Sequence, residues 1–207
     1  FVFVQLGDHE TSETRWLSRS APKDVHLITA RQDQIRYSID TSGDGCWYRL
    51  SNITHENYAI DVADAPDGPW RPLLAGDDQR LVEDIDAFAG GVLALVMEDA
   101  LPKLLVMTSD GSIIQRLQHD EATYDLEHQM PGDPNAGFVR VHVSSPRLPR
   151  TSYDVGLFDA VWSHRKTQVI PSGHNSDDYV VERIDVEVRD GAMVPVTLLK
   201  HRDDVGK

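Results

Sequence analysis

Short runs in which apolar and polar residues alternate, or in which apolar residues follow one another unbroken, recur along this chain of 207 residues. "FVRVHVS" (138–144) alternates strictly and puts Val139, Val141 and Val143 on one face. "VLALVM" (92–97) is apolar throughout, and "KLLVMT" (103–108) carries four apolar residues in a row. Alternation with period two marks a half-buried strand, and a short apolar run between turn residues marks a strand buried on both faces. Amphipathic stretches with the 3.6-residue helical repeat are absent. The pattern predicts an all-β chain.

The strands are also periodic. Gly45, Gly91 and Gly137 are spaced by 46 residues, each preceded by a short loop ("TSGD", "AFAG", "PGDPNA") and followed by an apolar run ("CWYRLSN", "VLALVME", "FVRVHVS"). A repeat in the forties belongs to a helical solenoid or to a β-propeller with four strands per blade, and the lack of helical pattern selects the propeller. One set of strands is expected at 34–39, 46–51, 57–63 and 70–75, and the next at 82–88, 92–97, 103–108 and 112–118. A third is expected at 123–128, 138–143, 151–158 and 166–171, while "FVFVQL", "TRWLS" and "VHLITA" form the last three strands of an earlier blade. The expected blades lie near 1–31, 32–76, 77–120 and 121–175, with connecting strands over 176–207.

One turn matches a metal-binding pattern. In "DTSGDGCWYRL" (40–50), Asp40, Ser42, Asp44 and Gly45 occupy positions 1, 3, 5 and 6 of a calcium loop. Position 12, which should supply a bidentate carboxylate, is Ser51, and the flanks "IRYSI" and "CWYRL" are strands rather than helices. The stretch therefore reads as the turn between the first two strands of a blade, with Gly45 supplying backbone freedom.

Composition narrows the function. A net charge of −14 and the lack of any Lys/Arg run argue against nucleic acid. The single cysteine, Cys46, allows no internal disulfide and no CxxC site. No apolar stretch approaches the ~20 residues that span a bilayer, so no membrane partner is expected. The chain opens on a strand without an initiator Met, which leads us to expect a segment of something longer, located in the cytoplasm. Catalytic signatures are missing: G-x-S-x-G, H-E-x-x-H, the P-loop and G-x-G-x-x-G do not occur. Among the histidines, His26, His128 and His142 are placed in strands and His55, His164 and His174 in or near loops. Glu83, Asp84 and Asp86 either line a propeller channel or form a polar strand face, and the polar face is the reading adopted. No cofactor, metal or catalytic residue is assigned.

"GDHETSETRWL", "YSIDTSGDGCWYRLSN", "VMEDALPKLLVM", "SSPRLPRTSYD" and "DYVVERIDVEVRDGAMVPVTLL" resemble the prolyl oligopeptidase family of serine peptidases, in particular its oligopeptidase B branch. The most specific matches are Ser144, Ser145, Pro149, Tyr153 and Asp154, then Tyr179, Glu182, Arg183, Arg189, Asp190, Gly191 and Pro195. "VGLFDAVWSHRK" departs from the family's aspartate-rich turn between the last blade strands.

The resemblance implies a seven-bladed propeller that gates an α/β-hydrolase domain and admits short peptides, cleaved after Lys or Arg. It places the chain over about three and a half blades, followed by a β-hairpin that leads into the hydrolase domain. The Ser/Asp/His triad would lie beyond Lys207, which makes the segment itself inactive. Glu182, Arg183, Arg189, Asp190 and Gly191 become candidates for the interdomain hinge. The implied partners are the hydrolase domain of the same chain and short peptide substrates. The alternative is an independent propeller that binds a peptide or protein partner, against which "RDGAMVPVTLL" argues, since a free propeller has no use for a connecting hairpin. Half a ring leaves two blade faces uncovered, with Val2, Val4, Phe138 and Val141 expected on them, so the isolated segment is expected to form a homodimer.

Overall fold

Residues 1–204 are described by a computed structural model of the chain. They form seventeen strands and two short 3-10 turns, Ser176–Asp178 and Arg202–Asp204. The first sheet holds three antiparallel strands, β1 (Val2–Gly7), β2 (Ser12–Ser18) and β3 (Ala21–Thr29). The second holds β4 (Tyr37–Asp40), β5 (Trp47–Ser51), β6 (Ala59–Ala63) and β7 (Arg71–Leu74) in sequence order. The third repeats this with β8 (Arg80–Phe88), β9 (Gly91–Glu98), β10 (Leu101–Thr108) and β11 (Ile113–Leu117). The fourth does so with β12 (Asp125–Gln129), β13 (Phe138–Ser144), β14 (Thr151–Gly156) and β15 (Trp162–Thr167). A separate two-stranded sheet follows, β16 (Tyr179–Glu187) paired with β17 (Met193–His201). Successive four-stranded meanders of this kind are those of a partial β-propeller.

The chain divides into two compact units, residues 1–99 with 104–116 and residues 100–103 with 117 onward. In the first, the second and third sheets share a core that includes Tyr48, Ile60, Val62, Val92, Val96 and Met107. Ile60, Val62, Val92 and Val96 are fully buried, and each such aliphatic side chain is worth about 1.5–3 kcal/mol relative to exposure. Tyr37 joins the first sheet to the second. Its hydroxyl accepts from the Thr14 amide at 2.8 Å and donates to the Thr29 carbonyl at 2.6 Å. Those two groups face each other where the β2–β3 register slips, and the phenol satisfies backbone that the bulge leaves unpaired.

In the second unit the alternation of β13 is read out directly: Val139, Val141 and Val143 are fully buried, whereas Arg140 is exposed. Val141 therefore does not lie on an open blade face as expected, and Phe138 is half-buried. Val2 and Val4 are exposed, at 43% and 42%.

Two further expectations are corrected. The fourth strand of the last sheet is Trp162–Thr167, not 166–171, and His164 consequently lies in a strand. The third strand of that sheet, expected over 151–158, ends at Gly156, where the chain turns. Gly156 donates to the Val161 carbonyl, Ala160 donates to the Gly156 carbonyl, and Asp159 accepts from the Val161 amide. The repeat glycines also differ in role. Gly45 and Gly137 have positive φ, but at the middle repeat Gly90 takes that conformation. Gly91 is required by packing: a Cβ there would lie 2.1 Å from the Met107 carbonyl oxygen.

Candidate functional site

Two of the motif stretches, "SSPRLPRTSYD" and "DYVVERIDVEVRDGAMVPVTLL", flank the joint between the fourth sheet and the β16–β17 hairpin. "SSPRLPRTSYD" makes a loop and then a strand. Ser145 accepts from the Leu148 amide at 3.0 Å, its own amide bonds the Leu148 carbonyl, and its hydroxyl donates to Glu121 at 3.0 Å. Arg147 closes a two-pronged pair with Glu121, whose side chain is 8% exposed. The Glu121 carboxylate in turn raises the Arg147 guanidinium pKa. Pro149 has no amide to donate, and its carbonyl accepts from the Thr151 hydroxyl at 2.8 Å. Ser144, Ser145, Thr123, Tyr124 and Thr197 border a shallow depression between this loop and β17.

The hairpin is tied to that loop through its root. His174 Nε2 donates to the Arg147 carbonyl at 2.7 Å, a bond that places the proton on Nε2. Tyr179 stacks on His174 with ring centroids 5.4 Å apart and meets His201 edge-on at 5.5 Å. Arg202 donates to the Asp177 carbonyl at 2.8 Å. Neither strand of the hairpin joins a neighbouring sheet.

The hinge candidates spread along this hairpin rather than forming one cluster. Glu182 lies in β16 and accepts from Lys200 of β17 at 2.7 Å; Arg183 lies opposite Thr197. Arg189, Asp190 and Gly191 form the tip. The tip is a three-residue loop, since Val188 donates to the Ala192 carbonyl and Gly191 to the Val188 carbonyl. Gly191 takes φ +84 and Asp190 accepts from the Ala192 amide, the geometry of a turn closed by a glycine bulge. Pro195 sits on β17 opposite Asp185.

Tyr153 and Asp154, the remaining motif residues, organise β13–β15. Asp154 lies opposite Arg140 and accepts from it at 2.8 and 3.1 Å, and from Arg165 at 2.7 Å. The Arg140 bonds hold the Asp154 carboxyl below the usual carboxylate range, against the opposing effect of burial and with help from Arg165. The second sheet carries the same cross-strand pair, Arg49 with Asp61 at 2.8 Å, and Arg49 also covers the Trp70 ring at 4.7 Å. Sequence reasoning missed this pair; its signal was an Arg on the second strand and an Asp on the third in two of the repeats. Tyr153 packs edge-on against Trp162 at 5.3 Å.

In the first unit, Glu83 and Asp84 are exposed on β8, where a bulge between Val82 and Asp84 turns consecutive side chains outward. They border a cleft of about 460 Å³ together with Asp8, Arg36, Tyr37 and Tyr58. Asp8 is held at about 2 by hydrogen bonds from the Glu10 and Thr11 amides and the Thr11 hydroxyl.

The calcium-like run is committed elsewhere. Asp40 accepts from the Thr41 and Ala87 amides, at 2.8 and 2.7 Å, and Asp44 from the Cys46 and Gly90 amides, at 3.1 and 3.0 Å. Ser51 is fully buried, so the twelfth position offers nothing to an ion.

The profile of the family described as "Prolyl oligopeptidase, N-terminal beta-propeller domain" matches residues 1–160. The chain belongs to that family. Dipeptidyl aminopeptidase BI of Pseudoxanthomonas mexicana is 25% identical over 207 residues, covering 98% of this chain and 28% of that protein. Oligopeptidase B from Leishmania major superposes with a TM-score of 0.82 at 19% identity, over 94% of this chain and 29% of that one. Oligopeptidase B from Trypanosoma brucei, solved in a closed form with covalently bound antipain, gives 0.78 at 22% identity, over 93% and 29%. The chain thus spans less than a third of the length of these relatives. No helix among the described residues is long and apolar enough to cross a membrane.

Proposed function

We propose that this chain is the non-catalytic propeller portion of a longer serine oligopeptidase, whose hydrolase domain follows the β16–β17 hairpin. The family match over residues 1–160 carries this reading. The hairpin supports it, because two strands outside every blade sheet are built to lead the chain away from the propeller. In this reading the propeller restricts access to short peptides, and cleavage follows Lys or Arg. The net charge of −14 suits cationic peptides. Glu182, Arg183, Arg189, Asp190 and Gly191 serve at the interdomain hinge, on a hairpin that pairs with no blade sheet.

The test pairs two proteins. The 207-residue chain is expected to leave an Arg-ended chromogenic peptide intact, because nucleophile, base and oxyanion donors act as one unit. The protein extended by its downstream coding sequence is expected to cleave Arg- and Lys-ended peptides and to be blocked by a serine-directed inhibitor. An extended protein that cleaves neither, or that prefers Pro-ended peptides, overturns the reading.

A further inference from the structure

The seam between the second and third sheets is bridged at both rims, by different means. At one rim the chain itself crosses over, from Leu74 of β7 to Arg80 of β8. Asn57 reinforces that crossover: its carbonyl accepts from the Val82 amide at 3.0 Å and its side chain donates to the Asp77 carbonyl at 3.0 Å. At the opposite rim no covalent link exists. The β4–β5 turn meets the β8–β9 turn there, one repeat later in sequence. β8 is the edge strand of its sheet, so its outward amides have no strand partner. Asp40 supplies the acceptor for Ala87 at 2.7 Å, and Asp44 supplies the acceptor for Gly90 at 3.0 Å.

We propose that Asp40 and Asp44 form a releasable latch on this rim, and that the two sheets part there when it opens, pivoting on the covalent crossover at the other rim. Both contacts are single side-chain acceptors on a backbone donor, and each carboxylate spends its second oxygen on its own turn. Nothing covalent resists separation at this rim once the two bonds are lost. The sheets remain joined through Asn57, the 74–80 segment and the core they share. The latch belongs to the propeller itself and holds whatever the longer protein catalyses.

Residue-resolved amide hydrogen exchange on the 207-residue chain tests this. Asp40→Ala is expected to speed exchange at Ala87 about tenfold, and Asp44→Ala to do the same at Gly90. Val82, on the crossover rim, and the amides of the central strand β9 are expected to keep their wild-type rates. Asp40→Asn and Asp44→Asn retain one of the two acceptor oxygens and are expected to restore part of the protection. Unchanged exchange at Ala87 and Gly90 in the Ala variants overturns the latch. So does acceleration that is equal at Val82, or that the Asn variants share across β9, because the opening would then be global.

Discussion

The Gly90 amide donates to the Asp44 carboxylate at 3.0 Å, across a gap of one full sequence repeat. This contact occupies an oxygen that a calcium ion would need. Millimolar calcium is therefore expected to leave the melting temperature unchanged. A site bound only in the folded state, at ~100 times its dissociation constant, would add about 2.7 kcal/mol. A rise with calcium that Asp44→Ala abolishes would show that the turn binds the ion.

Gly45 and Gly91, two of the three repeat glycines, should respond differently to the same substitution. Gly45 sits at φ +100 with nothing near its missing Cβ, so Gly45→Ala is expected to cost about 1 kcal/mol in backbone strain. At Gly91 the new Cβ meets the Met107 carbonyl and the Phe88 ring, and Gly91→Ala is expected to cost about 3 kcal/mol. Denaturant midpoints of the two variants check the order; equal losses would contradict it.

Acid stability should report two aspartates of opposite sign. Asp154 has a folded pKa below the ordinary 3.8, chiefly through Arg140, so its contribution is full above that value and is lost as pH falls through the folded pKa. Asp154→Asn is expected to cost about 2 kcal/mol near neutrality and to flatten the fall in stability on acidification. Asp40 has a raised pKa, first through burial and then through Asp86 and Asp84, with its amide bonds opposing. Its ionised form is disfavoured in the fold, so its effect on stability worsens as pH rises through the folded pKa. Asp40→Asn is expected to cost less stability at pH 7 than at pH 3. Melting temperatures of both variants between pH 3 and pH 7 separate these slopes.

Self-association is expected through the first sheet. Val2, Val4 and Leu6 of β1, with Val25 and Leu27 of β3, are all more than 40% exposed, and a patch of this kind rarely stays uncovered on a monomer. Light scattering of the 207-residue chain is expected to give a mass above 23.2 kDa at tens of micromolar. Val4→Glu is expected to lower it. A stable monomer with cooperative unfolding would dismiss the pairing.

Much of the fold was legible because burial writes itself into alternation: β13 and β9 follow directly from "FVRVHVS" and "VLALVM". β15 was misplaced because "WSHRKT" is a polar, exposed edge strand, and an edge carries little pattern. The site was less legible. Glu121, Arg147 and His174 come together from three loops, and the His174 bond goes to a carbonyl, which leaves no trace in residue type. The Asp44–Gly90 contact was within reach, since its separation equals the repeat that the glycines had already revealed.

The joint at the hairpin root is gripped by its main chain. His174 holds the carbonyl of residue 147 and Arg202 holds the carbonyl of residue 177, and every amino acid provides that group. Substitutions at 177 can therefore accumulate without disturbing how the hairpin is seated. The recognising side chains, His174 and Arg202, have no such latitude. The joint thus tolerates drift on one side only, and a variant library spanning 170–204 would show the asymmetry as permissive positions beside intolerant ones.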